Sequence, residues 1–369
     1  MKTLLVEPSY YSRYPPLGLM KLAAYGRSMD DEIRYVRGFD SVDGFVPKRI
    51  EITSLFTYAW KPVHSAIEYY HGLFPDAEIS VGGIYASLLP ENIRLRYPYV
   101  RVNVGLHPRA EKHMPDYDIL EQVDKWRGWD ASIIFTSRGC VNRCPFCMVP
   151  VLEGGMKSIL SDPMSQVHPS HKRIILWDNN FLALPDWKEK IKSMSKSDLW
   201  VDFNQGLDAR QMTVEKAEAL SELKIKEIRM AYDGEHERVA AHRAADLLED
   251  AGFRRRNISF YTLYNFYDSK TGQFDTPESF YNRVKDILKM GCVSYPMRFV
   301  PFNTLSKNGF VSPMWSESQL EAVAKARRVI GFGGAFPPYK ALVDKIVNAE
   351  HFDEAFRLEL PTTKMVMSS

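Results

Sequence analysis

The sequence predicts an α/β protein in two parts: an N-terminal doubly wound (Rossmann-like) parallel sheet, then a full or partial (β/α)6 barrel with a helical C-terminal tail. Strand-like apolar runs alternate with helix-like runs along most of the chain, a pattern that favours parallel strands joined by right-handed crossovers. The alternation is interrupted once, by a polar, proline-containing stretch at 108–132, and then restarts. With 369 residues, the chain is long enough for two such units.

The first part holds four predicted strands and two predicted helices. The strands lie at 2–8, 32–38, 48–57 and 78–88, and the helices at 17–29 and 61–75. Ligands of such sheets bind beyond the carboxyl ends of the strands. We therefore expect Gly82, Gly83 and the loop 7–16 at the binding edge of this sheet.

The second part repeats the strand–helix pattern about six times, which is enough for a barrel with its chemistry at the carboxyl ends of the strands. The strands are predicted at 132–137, 172–181, 199–209, 225–234, 256–266 and 293–304, and the helices at 185–197, 213–224, 237–252 and 277–291. The tail, 316–369, is predicted to be helical apart from a loop at 331–338. The expected divisions are 1–115, a linker at 116–130, the barrel at 131–310 and a C-terminal region at 311–369.

Composition is that of an ordinary globular protein, with 45% hydrophobic and 25% charged residues. A net charge of +2 is too small to indicate non-specific binding of nucleic acid. The N-terminal apolar run is too short for a signal peptide, and no run reaches the roughly 18 apolar residues of a membrane span. We expect a cytoplasmic protein without membrane contact, in which clustered cysteines indicate metal or redox chemistry.

Three of the four cysteines lie within eight residues, as Cys140, Cys144 and Cys147, with the spacing C-x3-C-x2-C. Three thiolates can bind three irons of a cubane cluster and leave the fourth iron without a protein ligand. An open coordination position is what catalysis at a metal requires. The spacing therefore favours an iron–sulfur cluster with one open iron.

Two other interpretations of this loop are weaker. A structural zinc site normally has four Cys or His ligands, and the nearest histidines, His168 and His171, lie some twenty residues away. Simple core cysteines do not account for the Gly139, Arg143 and Pro145 that surround the thiols. Cys292 stands alone and is expected to be a core thiol, with a hydrogen donor to a radical or a covalent substrate anchor as alternatives.

The sequence CVNRCPFC resembles the signature of the radical S-adenosylmethionine (SAM) superfamily, C-x3-C-x-aromatic-C, with Phe146 at the aromatic position. The resemblance implies a [4Fe-4S] cluster on Cys140, Cys144 and Cys147, whose open iron chelates SAM. One-electron reduction then gives a 5′-deoxyadenosyl radical that abstracts hydrogen from the substrate. The resemblance also implies an electron donor of the flavodoxin or ferredoxin type. It further implies that Phe146 and the backbone near Met148 flank the adenine of SAM.

The resemblance suggests further contacts with SAM at the second strand end. There, Asp178, Asn179 and Asn180 are candidates to receive the amino group, although the Gly-Gly-Glu version of this site is absent. An Asx turn that leaves the strand is the alternative.

The third strand end carries a second set of candidates. Asn204 and Gln205 are candidates for the ribose hydroxyls, and Arg210 for the SAM carboxylate. Asp208 is a further candidate for cofactor binding at this strand end. For Asp208 and Arg210 the alternative is a mutual ion pair that caps the next helix. Candidates for the substrate site, on later strand ends, are Tyr232, Asp233, Tyr264, Asn265 and Arg298.

The N-terminal part is similar to the subclass of this superfamily with a cobalamin-binding-like domain. The stretches PPLGLMKLAAYGRSM, VGGIYASLLPENI and NVGLHPRAEKHMPDYDIL occur in the order seen there. No D-x-H-x-x-G is present, Tyr85 stands where a histidine is frequent, and of the usual GE-x-E only Glu111 remains. If cobalamin binds, we expect it at Gly82, Gly83 and the loop 10–16. The alternative is a degenerate domain that packs on the barrel or positions the substrate.

The function that this implies is abstraction of hydrogen from an unactivated C–H bond, with cobalamin-dependent methylation as the leading outcome if cobalamin binds. Cobalamin-independent epimerisation, rearrangement, or modification of RNA or peptide is the alternative within enzymes. A non-catalytic iron–sulfur binding or electron-transfer protein is the alternative outside them. The sequence is compatible with a small molecule, a nucleotide or a peptide as substrate.

Overall fold

The structure is a computed structural model that describes residues 1–331 and 340–357. Its N-terminal part is a parallel five-stranded sheet built from β1 (Lys2–Glu7), β2 (Glu32–Arg37), β3 (Arg49–Ser54), β4 (Glu78–Gly83) and β5 (Arg101–Val102). The helices of this part are α1 (Leu17–Arg27), α2 (Trp60–Leu73), α3 (Ile84–Leu88) and α4 (Pro90–Arg94). The strand order β2-β1-β3-β4-β5 is that of a doubly wound sheet, as predicted.

Both faces of this sheet are covered, which explains the continuous buried apolar run at 4–6 in β1. Leu4 and Val6 pack into a cluster with α2, whereas Leu5 packs on the other face with α1. Trp126 belongs to the second cluster and donates a hydrogen bond to the buried carboxylate of Glu7 (2.7 Å). Much of the expected linker at 116–130 is therefore docked on the N-terminal sheet.

Two details of this sheet differ from the sequence prediction. The predicted strand 78–88 ends at Gly83, and residues 84–88 form α3 instead. Gly83 has φ +103°, a conformation that breaks the strand and that only glycine adopts without strain. The short strand β5 was not predicted, because two residues are too few to show a periodic pattern.

Glu51 in β3 provides a prediction about stability. Burial raises its pKa from 4.5 to about 7, so deprotonation opposes folding and the cost grows as pH rises from about 4 to about 7. We expect Glu51→Gln to raise the free energy of unfolding by about 3 kcal/mol at pH 8 but by less than about 1 kcal/mol at pH 5. Urea unfolding at both pH values measures this, and equal effects at both would contradict it.

The second part contains six parallel strands in chain order. They are β6 (Ala131–Ile134), β9 (Arg173–Leu176), β10 (Trp200–Phe203), β11 (Ile228–Ala231), β12 (Ile258–Tyr264) and β15 (Val293–Arg298). The first three and the last three form separate ladders, joined by single bridges such as that between Leu207 and Met230. In the described part of the chain β6 and β15 do not pair, so this is a partial barrel, one of the two predicted forms.

Helices cover the outside of these strands. They are α6 (Trp187–Ser195), α7 (Val214–Ser221), α8 (Arg238–Asp250) and α9 (Pro277–Lys289). Thr213 caps α7 and Thr276 caps α9, each by accepting a hydrogen bond from a backbone N–H of the first turn. Several predicted strands are shorter than expected, because the polar residues after Leu176 and Phe203 already belong to loops.

The remaining elements are short or lie in the tail. Between the main strands lie α5 (Val149–Leu152) and two short antiparallel strand pairs. These are β7 (Ser137–Arg138) with β8 (Lys157–Ser158), which enclose the cysteine loop, and β13 (Tyr267–Asp268) with β14 (Gln273–Phe274). The tail contains α10 (Glu317–Ile330), α11 (Lys340–Asn348) and α12 (Phe352–Phe356), which pack on α9. The predicted loop beyond residue 331, and the predicted helical end at 358–369, lie outside the described residues. Within 1–331 and 340–357, no helix is long and apolar enough to cross a bilayer.

Candidate cluster and cofactor site

The cysteine loop begins at a glycine that no other residue could replace without strain. Gly139 has φ +76°, and a Cβ there would lie 2.2 Å from the carbonyl oxygen of Gly155. The N–H of Cys140 donates to the carbonyl oxygen of Gly154 (3.4 Å). The start of the loop therefore lies directly on the backbone at 154–155, which anchors it beside the ends of β6 and β9.

The three thiols of this loop are free, half-buried and close enough to influence one another. Burial raises the pKa of Cys144 to about 11, with further contributions from the charges of Cys147 and Cys140. The sulfur of Cys140 accepts hydrogen bonds from the N–H of Asn142 (3.4 Å) and from Nδ2 of Asn180 (3.9 Å). Three thiols, one of them with N–H donors on its sulfur, are a donor set that fits an iron–sulfur cluster.

Within residues 1–331 and 340–357, no group of three or more His, Cys, Asp or Glu side chains is arranged to hold a single metal ion.

Asp208 joins the first and third strand ends at this site. Its carboxylate accepts hydrogen bonds from Nδ2 of Asn142 (2.9 Å), Nδ2 of Asn180 (3.0 Å) and the guanidinium of Arg210 (2.8 and 2.9 Å). It also caps the short turn at 209–211 by accepting from the N–H of Arg210. Arg210 is thus engaged in the ion pair that the sequence suggested as its alternative role, although it lies near Cys144.

Asp178 lies behind the cysteine loop and is fully engaged with the protein. Its buried carboxylate accepts from the hydroxyl of Thr136 (2.8 Å), the hydroxyl of Ser137 (2.6 Å) and the N–H of Thr136 (3.1 Å). Burial raises the pKa of this carboxyl, while these hydrogen bonds oppose the shift. The arrangement holds the junction between β6 and β7 in place just before the cysteines.

The two asparagines that follow Asp178 lie closer to the thiols. Asn179 donates to the carboxylate of Glu153 (2.9 Å) and to the carbonyl of Gly139 (3.4 Å). Asn180 is buried, and its Oδ1 has no hydrogen-bond partner among the described residues. A free buried acceptor beside Cys140 is the feature here that fits a bound ammonium group.

Asn204 contacts a residue of the N-terminal part. Its Nδ2 donates to the hydroxyl of Tyr14 (2.5 Å), whose ring packs edge-on against Trp129 and Trp177. The neighbouring Gln205 is exposed. Tyr14 lies in the expected loop 10–16, but nothing in the sequence indicated that it reaches the third strand of the barrel.

The remaining loop candidates surround the thiols. Phe146 contacts the edge of Phe266 (ring centroids 5.6 Å apart), and Met148 precedes the first turn of α5. Asp233 lies near Cys147, where its charge contributes to a raised pKa of that thiol after burial and the charge of Cys140. Burial, followed by the charge of Glu237, raises the pKa of Asp233 to about 7.

The structure does not bring the other substrate candidates to the thiols. Tyr232 and Tyr264 point outward from their strands, Tyr232 towards Asp286 of α9 and Tyr264 into the cluster around Trp315. Asn265 and Arg298 both donate to the carbonyl oxygen of Phe310 (3.0 Å each), so they fix the segment after β15. Cys292 is fully buried in the core that surrounds the barrel strands, as expected of a core thiol.

The edge of the N-terminal sheet at the carboxyl ends of its strands faces the same region, because α3 contacts α5. A Cβ on Gly83 would lie 2.1 Å from the carbonyl oxygen of Ser54, and the Ser54 hydroxyl donates to the carbonyl of Gly82 (2.8 Å). Tyr85 is buried and its hydroxyl bonds to His64 (2.8 Å), so its side chain faces the core of the domain. The close turn at Gly82 and Gly83 leaves backbone, rather than side chains, at this edge.

Two residues of the site were missed by sequence reasoning, Arg138 and Glu153. The guanidinium of Arg138 stacks on Phe135 at 3.4 Å and bonds both Glu153 (3.0 Å) and Glu111 (2.7 Å). Glu153 also accepts from the N–H of Gly139 (2.8 Å). Their partners are distant in the sequence or belong to the other part of the chain, so no local pattern could reveal them.

No family model and no curated protein sequence matches this chain. Solved structures do match. The radical SAM methyltransferase TsrM from Kitasatospora setae, solved with cobalamin and a [4Fe-4S] cluster, is 14% identical, with a TM-score of 0.61 over 80% of this chain and 74% of that one. The cobalamin-dependent SAM radical enzyme OxsB is 14% identical, with a TM-score of 0.51 over 83% of this chain and 54% of OxsB.

A third match, the radical SAM enzyme coproporphyrinogen III oxidase (HemN) from Escherichia coli, is weaker, with 13% identity and a TM-score of 0.39 over 58% of this chain and 57% of that one. This chain spans about half the length of OxsB and about three quarters of TsrM. At these identities the likeness concerns the fold. The protein therefore shares its fold with two radical SAM enzymes, one of which was solved with cobalamin and the other of which depends on it.

Proposed function

We propose that this protein is a radical SAM enzyme. The observation that carries the proposal is the set of three half-buried, free thiols, spaced C-x3-C-x2-C, after the first strand of a partial parallel barrel whose fold is that of such enzymes. Cys140, Cys144 and Cys147 would hold a [4Fe-4S] cluster. Such a cluster, when bound and reduced by one electron, supplies cleavage of SAM to methionine and the 5′-deoxyadenosyl radical.

The residues around the thiols have separable roles in this proposal. The free Oδ1 of Asn180 would accept from the SAM ammonium, with Asn179 and Asp178 holding the peptide before Cys140. Asp208 and Arg210 would orient Asn142 and Asn180. Phe146 and Met148 would flank the adenine, Asn204 and Gln205 would reach the ribose, and Asp233 would face the substrate.

The turn at Gly82 and Gly83, with the loop 10–16, is the proposed place for cobalamin, and methyl transfer to an unactivated carbon is then the proposed outcome. Support comes from the close backbone approach at Gly83 and from the contact between α3 and α5, which puts this edge next to the cysteine loop. A cytoplasmic location and a one-electron donor of the flavodoxin or ferredoxin type belong to the same proposal. Radical modification without cobalamin is the second candidate, favoured by the burial of Tyr85 away from this edge.

Anaerobic reconstitution tests the proposal directly. The purified chain is loaded with iron and sulfide, then incubated with SAM and dithionite, and 5′-deoxyadenosine is measured by mass spectrometry. We expect about four irons per chain and 5′-deoxyadenosine. A fully assembled cluster that gives no 5′-deoxyadenosine would overturn the enzymatic proposal.

A separate measurement decides the cobalamin branch. The chain is incubated with hydroxocobalamin and passed through a desalting column, and the absorption spectrum of the eluted protein is recorded. We expect cobalamin to co-elute in about one-to-one ratio with the protein. Elution without it would overturn methylation through cobalamin and leave the second candidate.

A further inference from the structure

A chain of four alternating charges crosses from the N-terminal part to the cysteine loop. Lys21 of α1 bonds the carboxylate of Glu111 (3.3 Å), which bonds Arg138 (2.7 Å), which in turn bonds Glu153 (3.0 Å). All four side chains are largely buried, with between 10% and 21% of each side-chain surface exposed to solvent. Each charge therefore has its partner inside the protein rather than in water.

The end of this chain acts on the backbone that leads into the first cysteine. One oxygen of Glu153 accepts from the N–H of Gly139 (2.8 Å) and from Nδ2 of Asn179 (2.9 Å), and the same amide of Asn179 donates to the carbonyl of Gly139 (3.4 Å). The peptide groups on either side of Gly139 are thereby held by two side chains. Cys140 follows directly.

Lys21 and Glu111 belong to the N-terminal part, whereas Arg138 and Glu153 belong to the second part, so the chain of charges depends on both. Without the Glu111 carboxylate, Arg138 would keep one carboxylate partner, Glu153, and Lys21 would keep only the backbone carbonyl oxygen of residue 111 (3.0 Å). A buried charge that loses its partner is costly, so Arg138 is expected to shift towards water and to pull on Glu153. Such a shift would release the N–H of Gly139, because Glu153 is its acceptor.

We infer that Glu111 and Arg138 are positioning residues, through which the N-terminal part holds the cysteine loop in its ligating shape and sets the charge around it. The first half of this inference concerns the loop of the chain alone. The second half, the charge around a bound cluster, rests on the proposed function. The two halves have separate measurements.

The first measurement is amide hydrogen exchange of the full, cluster-free chain, followed by mass spectrometry. In Glu111→Gln we expect the peptide 137–147 to exchange about tenfold faster than in the wild type, since an N–H that loses its acceptor opens more readily. Peptides of β12 should not change, which shows within the same sample that the chain remains folded. Unchanged exchange at 137–147 would overturn the inference.

Two further variants make this result specific. Arg27 lies on α1 like Lys21 and pairs with Asp116 (2.9 Å), so Arg27→Gln removes an ion pair from the same helix without touching the chain of charges; exchange at 137–147 should stay at the wild-type rate. Arg138→Lys keeps the charge but loses the planar guanidinium that bonds Glu111 and Glu153 at the same time. We therefore expect it to speed hydrogen exchange at 137–147 as Glu111→Gln does. If Glu111→Gln does not fold, Arg138→Lys provides the test in its place. Equal effects in Arg27→Gln would overturn the inference.

The second measurement is the midpoint reduction potential of the reconstituted protein, from a titration followed by electron paramagnetic resonance. Glu111→Gln removes a negative charge and should shift the potential upward, whereas Arg138→Met removes a positive charge and should shift it downward. Shifts of the same sign would overturn the electrostatic half. If the wild type assembles no cluster, the proposed function fails, while the hydrogen-exchange result still decides the role of the loop.

Discussion

Alanine at any one of Cys140, Cys144 and Cys147 is expected to prevent stable cluster assembly and to reduce 5′-deoxyadenosine to background. The physical reason is the number of ligands: the proposed cluster has three protein thiolates, so the loss of one would leave it with two. The loss should exceed the roughly 10–100-fold effects seen when outer partners of a metal site are removed. Iron content and 5′-deoxyadenosine after anaerobic reconstitution measure it.

Cys292→Ala is the matched control for these three variants. Cys292 is fully buried in the core, where burial raises its pKa to about 12, so it is not available as a thiolate ligand. Its variant should bind as much iron as the wild type and form 5′-deoxyadenosine at the same rate. Normal iron content in any of the three loop variants would contradict the assignment of that cysteine as a ligand.

Arg283→Met is expected to lower the free energy of unfolding by about 3–5 kcal/mol, the usual cost of breaking a buried ion pair from one side. Arg283 of α9 is almost fully buried and donates to the carboxylate of Asp275 (2.8 Å) and to the carbonyl of Leu263 (2.7 Å). Methionine fills a similar volume but leaves both acceptors without this donor. Urea unfolding measures the change.

Arg94→Met provides the comparison. Arg94 pairs with Glu91 one turn away on α4, and both side chains are exposed, so its loss should cost less than about 0.5 kcal/mol. If the Arg283 and Arg94 variants had the same free energy of unfolding, this would contradict the stabilising role assigned to the buried pair of Arg283 and Asp275. A change at Arg283 also reaches the site, because the N–H of Leu263 donates to Asp233 (2.9 Å).

The architecture was largely predictable because it follows from periodicity. Alternating strand and helix runs predicted the doubly wound sheet and the six barrel strands, and the thiol spacing singled out one loop. The boundaries were less accurate where one residue decides the geometry, as at Gly83, whose positive φ ends a strand that the apolar pattern would continue.

The roles of individual polar residues were much harder to predict. Tyr232 and Asp233 are neighbours at the same strand end, yet Tyr232 points to α9 and Asp233 lies near Cys147. The reason is that successive side chains of an extended segment point to opposite sides. Asp178 and Asp208 likewise look equivalent in sequence. One is buried behind the loop and the other ties Asn142 to Asn180, since hydrogen-bond partners depend on contacts across the fold.

The contact between Tyr14, Leu17 and the inner face of the barrel bears on how this molecule could have evolved. Leu17 belongs to the same apolar cluster as Ala131, Ile133 and Ile175, with Tyr14 packed against it. The seam between the two parts is therefore a piece of hydrophobic core and not a flexible hinge. A barrel inherited without its N-terminal partner would expose that apolar face to water. A change of side-chain volume on one side of this seam is therefore expected to require a compensating change on the other.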